Sequence, residues 1–370
     1  PVTAVEQPVG RILDKSGRGN HATQATTTKR PILSRRYNLL TNSDLLGLSG
    51  AVLPEWGLTG VQPTLSVDGK PIFAQDGSRT FLHQVIPFPA DGVIVMTAYV
   101  RVVQAATLGE LLGFNASISS ATYFLDGEVS GYSAVVPVGE HIIALTGGLS
   151  AGNVEMRCGV GVNNATSGEV EFLRVATCLA TDAHLPYQLV NTATDYDADP
   201  SKFPAYLRFD GVDDALQTGN IDFTGTDKMT VWAGVTKLSD ANLAVITELS
   251  DGAVDGAISL QAPFGSASPS FLYLSRGSTS QWAATVAYPS PSTAVLTGVS
   301  DISGDVVSLR VNTAVVATTT TDQGSGNYGN YPLYIGARTG TSNHFNGRLG
   351  CLIIRGAQST LSQIEATELY

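Results

Sequence analysis

Charge is scarce in this 370-residue chain: 14% of its residues are Asp, Glu, Lys or Arg, against roughly a quarter in an ordinary globular domain. What charge there is leans acidic, with 21 Lys+Arg against 32 Asp+Glu and a formal net charge of −11. Phosphate backbones and anionic lipids reward clustered basic residues, so nucleic-acid binding drops out first. Long apolar runs are also missing. The stretch around Gly92–Met96 stops far short of the roughly 18 residues that span a bilayer, and no membrane insertion is expected. Cysteine is down to three, Cys158, Cys178 and Cys351, an odd number without CxxC spacing. That excludes a disulfide framework or a structural zinc as the organising device. The apolar neighbours of each make it read as a small buried hydrophobe, in a chain made in a reducing compartment. Pro1 in place of an initiating Met implies that a start has been removed, and targeting is left open.

Catalytic signatures are equally thin. The five histidines (His21, His83, His141, His184, His344) are scattered, and there is no Gly-x-Ser-x-Gly elbow, P-loop or HExxH. Gly324-Ser325-Gly326-Asn327-Tyr328-Gly329 matches GxGxxG literally, but a strand-like segment follows it, where a pyrophosphate would need a helix N-terminus. Glu169 and Glu171 project from one face of a strand, their Cα atoms roughly 7 Å apart by two strand rises. Alternation reads that face as solvated, with Val170 and Phe172 towards the core.

Glycine, by contrast, is plentiful at 39, and 43% of residues are hydrophobic, enough for a sizeable core. At about 150 residues per domain, two domains are expected. Short runs of Val, Ile, Thr, Tyr and Phe bounded by Gly, Asn, Asp and Ser recur throughout. The strands read in this way include Val93–Val103, Gly139–Leu145, Glu169–Thr177, Tyr206–Asp210, Lys228–Val235, Asp305–Val311, Pro332–Gly336 and Gly350–Arg355. Their spacing predicts an all-β chain of antiparallel sandwiches. One short C-terminal helix is predicted, opened by a capping box at Ser362 and Glu365 and running towards Tyr370. Residues 191–206, polar, acidic and carrying two prolines, read as an exposed connection. A second shift falls at Arg35-Arg36.

Asp14-Lys15-Ser16-Gly17-Arg18-Gly19-Asn20-His21-Ala22-Thr23-Gln24 with Arg30-Pro31 resembles the opening of concanavalin A-like (laminin-G-like) jelly rolls found in bacteriophage virion proteins. Leu207–Asp214 and Met229–Val235 resemble the second signature and the strand after it. Phe345–Ile354 and Leu361–Ile364 resemble the last strand and helix. In such relatives the Arg-Pro element is followed closely by the Phe-Asp-Gly element, which here lies far downstream at Phe209–Gly211. A second domain inserted into a surface loop accounts for the gap. The insert's ends, Tyr37–Ser43 and Arg174–Gln188, are similar to those of carbohydrate-binding-module-like jelly rolls of phage tail proteins, although no first strand aligns between Asp44 and Trp56. The expectation is therefore two antiparallel jelly-roll sandwiches, one inserted into the other: residues 1–34 with 191–370, interrupted by 35–190.

The resemblance implies a bacteriophage structural protein located in the virion and assembled in the host cytoplasm: a tail fibre, tail-tip protein or capsid-decorating fibre. It would be a homotrimer among other virion proteins, acting by binding host-surface polysaccharide. The alternatives are a capsid decoration or cement protein without sugar binding and, behind it, a polysaccharide depolymerase. Relatives with glucanase activity present Glu-x-Asp-x-Glu, and Leu173 stands where the third carboxylate would be, so no enzyme is expected. No cofactor is expected beyond calcium, which relatives hold at one rim through hard oxygen ligands. Acidic loops of that kind occur at Asp195, Asp197 and Asp199 and at Asp210–Asp214, of which the first is the preferred metal candidate. For glycan, aromatic rings beside amides single out Asn327, Tyr328, Asn330 and Tyr331, with Trp56, Trp282 and Tyr288 as further candidates. Tyr334 and Trp232 read as core.

Overall fold

Period-two alternation of buried and outward side chains builds nearly every element. In Gly92–Gln104, for example, Ile94, Met96, Ala98, Val100 and Val102 are buried and the residues between them face outward. The computed structural model describes residues 5–368 apart from 49–52, 75–77, 89–91, 117, 151, 165–167, 253, 286 and 287. The protein is nearly all-β, with antiparallel sheets and, among the described residues, one α-helix, Leu361–Glu368. Tyr370, towards which the helix was expected to run, lies outside the described residues.

The chain folds as two compact units, Pro1–Arg35 with Pro204–Tyr370, and Arg36–Phe203. The second boundary lies beyond residue 190 because the polar connection is not a free linker. Asn191 and Val190 carbonyls accept the N–H groups of Asn42 (2.9 Å) and Ser43 (2.8 Å), and Asp197 N–H bonds Leu189 O. Tyr196 and Phe203 are buried, Phe203 beside the Tyr37 ring at 6.2 Å, so two aromatics anchor an otherwise polar segment.

In the first unit two eight-stranded sheets enclose one core. Ile32–Ser34 pairs with Tyr206–Asp210, which pairs with Asn346–Arg355 and through it with Lys228–Lys237. In the other sheet Ala22–Thr23 pairs with Leu216–Asp222 and then Asn330–Ile335. The opening segment thus contributes strands to both sheets. Between them lie Phe209, Val231, Leu260, Phe271, Leu296 and Phe345. The core also holds hydroxyls: Ser300 Oγ bonds the phenols of Tyr273 (2.9 Å) and Tyr328 (2.6 Å), and Ser275 Oγ also bonds Tyr328 (2.8 Å). A Cβ at Gly298 would fall 2.4 Å from the Tyr273 ring, so that position must be glycine for the tyrosine to enter.

Trp232 is buried, but on the opposite face from Val231 and Ala233, where it packs with Val299 and Ile364 of the helix. The helix is capped two residues earlier than its sequence suggests: Gln363 N–H bonds Thr360 Oγ1 (3.4 Å) and Gln363 Oε1 accepts Thr360 N–H (3.1 Å). At its other end buried Glu368 accepts from Arg310 (3.1 Å) and Thr297 (2.7 Å). Of the cysteines, Cys158 is buried, Cys178 half-buried and Cys351 exposed, because Cys351 falls on the outward side of its strand.

In the second unit a seven-stranded sheet centred on Gly92–Gln104 faces a four-stranded sheet of Leu112–Phe114, Gly152–Val160, Thr80–Phe88 and Gly57–Thr59. Phe73 and Phe172 meet edge to face in its core at 5.7 Å. Asn38 Oδ1 takes the N–H groups of Leu40 (3.2 Å) and Thr177 (3.0 Å), tying the entering segment to the last long strand.

Candidate functional site

The residues singled out as glycan contacts do not converge. Tyr328 is 1% exposed and its phenol is spent on the two core serines; burial pushes its pKa up to about 12. It cannot present a ring face to a sugar. Trp56 is likewise core, its indole N–H donating to Thr41 O at 3.0 Å. Tyr331 is half-buried over Gly329 and donates to Asp255 O (2.9 Å). Asn327 and Asn330 are exposed; the first donates to Thr224 O (2.6 Å) and the second's carbonyl accepts from Asn220 (3.0 Å). Trp282, 51% exposed, sits on the edge strand Ser280–Ala284, four strands from Asn330–Ile335.

The acidic loops also differ from expectation. Asp197 and Asp199 face the Lys202 ammonium at 3.5 and 3.6 Å, and Ser201 bonds lower the Asp199 pKa, while exposed Asp195 bonds Asn191. One half-exposed lysine thus faces two of the three carboxylates. Asp210, Asp213 and Asp214, by contrast, each bring one carboxylate oxygen within 4.8 Å of the other two. They follow the strand Tyr206–Asp210, where Asp210 Oδ1 accepts the N–H groups of Val212 (2.8 Å) and Asp213 (3.3 Å), and Asp214 Oδ2 accepts that of Asp210 (3.1 Å). Burial, then the charges of Asp210 and Asp213, push the Asp214 pKa up to about 6. Clustered carboxylate oxygens that repel one another are a donor set that suits a hard cation such as calcium.

Immediately after Asp214 the chain enters a cleft of about 470 Å³, formed by residues 23–26, Lys29, 215–219 and 339–341. Its walls are hydroxyls, amides and backbone. Gln24 bridges it, donating to Ala215 O (2.9 Å) and accepting Thr26 N–H (3.1 Å). Thr218 is fixed by Leu333 N–H (2.9 Å). The exposed Lys29 ammonium has no ion pair among the described residues. The third wall is strained: Thr339, a β-branched residue, has φ 48°, held by its N–H bond to Glu248 Oε2 (3.2 Å) while Glu248 faces Arg338 (3.7 Å).

Residues 210–364 match the family model described as the concanavalin A-like lectin/glucanases superfamily. The match lies within the first unit, which thus carries a concanavalin A-like domain over residues 210–364. Solved structures similar to the chain include the carbohydrate-binding module (CBM40) of a Ruminococcus gnavus IT-sialidase bound to α2,3-sialyllactose, at 14% identity and TM-score 0.32, covering 41% of this chain and 97% of that one. A heptameric SAP-like pentraxin from Limulus polyphemus aligns at 11% identity and TM-score 0.36, covering 44% and 80%. A Trypanosoma rangeli sialidase aligns at 13% and 0.36, covering 45% and 28%. No curated protein matches the chain in sequence.

The superfamily's description joins binding and hydrolytic members, so catalysis needs its own residues. Glu171 is 2% exposed and bound to Arg101 at 2.7 Å, which also holds Glu140 at 2.8 Å. On the strand face expected to be solvated Glu171 is instead buried beneath its ion pair with the half-exposed Arg101, so Glu169 and Glu171 form no open carboxylate pair. The lectin-like fold fits a binding protein. Sequence reasoning missed the cleft, whose walls come from three distant segments; only Asp210–Asp214 carried a local signal.

Proposed function

We propose that the first unit binds a saccharide in the cleft between residues 23–29, 215–219 and 339–341, beside a calcium ion held by Asp210, Asp213 and Asp214. One observation carries the reading: a polar cleft of about 470 Å³, within the size of small-ligand sites, shares the Asp214–Ala215 bond with a carboxylate trio. Gln24, Gln217, Thr341 and Lys29 offer both donors and acceptors to sugar hydroxyls. When bound, calcium would neutralise the trio and fix the turn that leads into the cleft. Glycan-array binding of the purified chain, with calcium and with a chelator, tests this. Saturable binding that weakens on chelation and in Asp213→Asn is expected; no binding to any glycan sinks the reading.

The setting we propose is a bacteriophage virion, with the chain as a homotrimeric fibre or tail-tip protein among other virion proteins and assembled in the host cytoplasm. Its support is the resemblance carried by residues 14–31 and 207–214. Antibody labelling of particles tests it: labelled tail tips support an adhesin, dense labelling of the head a decoration protein, and unlabelled particles remove the setting.

A further inference from the structure

The second unit holds a tyrosine ring in place with unusual thoroughness and leaves it in solvent. Tyr132 lies in the turn Gly131-Tyr132-Ser133 and is 37% exposed. Its hydroxyl donates to Oε1 of Glu110, a carboxylate that is 2% exposed. Glu110 Oε2 accepts the N–H groups of Asn163 (3.0 Å) and Asn164 (2.7 Å), and Oε1 also accepts from the Asn164 amide (3.1 Å). Burying a carboxylate is costly unless such donors surround it, and here the donors come from the turn and the asparagine loop together.

The ring is fixed at one face as well. A Cβ on Gly109 would lie 2.2 Å from Cδ2 of Tyr132 and 2.5 Å from both Cγ and Cε2. A point in the ring plane 2.2 Å beyond Cδ2 would stand about 3.1 Å from each flanking carbon, so the 2.5 Å distances place Gly109 over the Cδ2 side of one ring face. Gly109 N–H in turn bonds Tyr132 O (2.9 Å), and Tyr123 stands perpendicular to the ring at 5.6 Å. The rotamer freedom that a bound sugar would otherwise have to freeze is already gone.

The neighbouring amides are oriented too. Asn163 donates its side-chain N–H to Gly109 O (3.0 Å), with its Oδ1 on the Gly113 side, and Asn164 donates its own to Glu110, so that its Oδ1 turns away from that bond; both residues are exposed. Oxygen acceptors take hydroxyl donors and repel carboxylates and phosphates. We propose that Tyr132, Asn163 and Asn164 form a second saccharide site, separate from the cleft of the first unit: the ring stacks on the C–H face of a neutral pyranose and the asparagine oxygens accept its hydroxyls.

The full chain is titrated by biolayer interferometry with linear hexasaccharides of glucose, galactose, mannose and N-acetylglucosamine. At least one is expected to bind saturably, about tenfold or more weakly to Tyr132→Leu, and within about threefold of the parent to Tyr132→Phe, which keeps the ring. Lys29→Ala and Asp213→Asn touch only the first unit, so a sugar whose affinity falls in Tyr132→Leu and not in these two variants is held by the second unit, and a sugar that shows the reverse is held by the cleft. The proposal is overturned if none of the four sugars binds, if Tyr132→Leu with an unaltered melting temperature binds like the parent, or if a folded Tyr132→Phe loses binding. Should Tyr132→Leu unfold, Asn163→Asp and Asn164→Asp replace it: weakened binding supports the site, and parental affinity in both overturns it.

Discussion

Two loops of similar composition, one in each unit, end in opposite places. Gly324–Tyr331 is built of glycine, serine, asparagine and tyrosine, and so is the Gly131–Ser133 turn with its asparagine neighbours at 163 and 164. Yet Tyr328 is core and Tyr132 is surface. What separates them is the partner of the phenol. Ser275 and Ser300 offer uncharged hydroxyls deep between two sheets, where a whole ring can follow its oxygen inside. Glu110 offers a carboxylate whose remaining bonds come from a loop at the unit's margin, so the ring stops where the loop does. Loop composition alone therefore does not say whether an aromatic is buried or exposed; the elements that supply the phenol's partners differ between the two.

The sharpest way to break this contrast is Tyr328→Ala. Removing a ring from a core this close-packed and stranding the Ser275 hydroxyl, while Ser300 keeps its bond to Tyr273, should cost about 3–5 kcal/mol, read as a lower midpoint in denaturant. Saccharide affinity of the molecules that remain folded should be unchanged. A Tyr328→Ala protein of parental stability that had lost glycan binding would reverse the assignment of the two tyrosines. Nearly as large is the effect expected at Glu368→Ala, which leaves Arg310 buried without its carboxylate and should cost about 3 kcal/mol or more. Its readout is also local: the helix packs over Trp232, so indole fluorescence should respond along with the midpoint.

The strands were legible because alternation is a property of any ten-residue window, and the helix because a capping signal sits just before it. Even there the box slipped by two positions, since Thr360, Ser362, Gln363 and Glu365 all offer plausible capping chemistry and only the backbone decides among them. Residues 191–203 were misjudged because Tyr196 and Phe203 anchor a segment whose other residues look solvated. The sites were far less legible. The cleft gathers Thr23 with Thr341, and the second unit gathers Glu110 with Tyr132 and Asn163, so no window contains either. Where carboxylates are adjacent in sequence, as at Asp210–Asp214, the pattern was visible, but nothing in it said that Lys202 would face Asp197 and Asp199 in the competing loop.

A smaller effect separates the trio from that loop by pH. Asp214 is raised to about 6 from an ordinary 3.8, so between those values the folded chain holds a proton that the unfolded chain has released. Its contribution to stability is fully present below pH about 4 and is lost as pH rises through about 6. Asp214→Asn should flatten this part of the melting-temperature profile measured without divalent ions. Asp199 shifts in the opposite direction, and Asp199→Asn should not flatten it. Calcium, which needs the ionised trio, should bind more weakly as pH falls below about 6, a prediction that calorimetry at two pH values checks.

The smallest expected change in stability is at Lys29→Ala, and it isolates the cleft. The Lys29 side chain is exposed and has no ion pair among the described residues, so its loss should move the unfolding free energy by less than about 0.5 kcal/mol. What Lys29 contributes structurally is its backbone carbonyl, which accepts Ala215 N–H at 3.1 Å and survives the substitution. Any loss of saccharide affinity would then report on the ammonium itself. A fivefold or greater loss in a protein of parental melting temperature is expected if the cleft takes the sugar. Unchanged affinity in Lys29→Ala, alongside a loss in Tyr132→Leu, would move the whole of the glycan binding into the second unit and leave the concanavalin A-like domain as its scaffold.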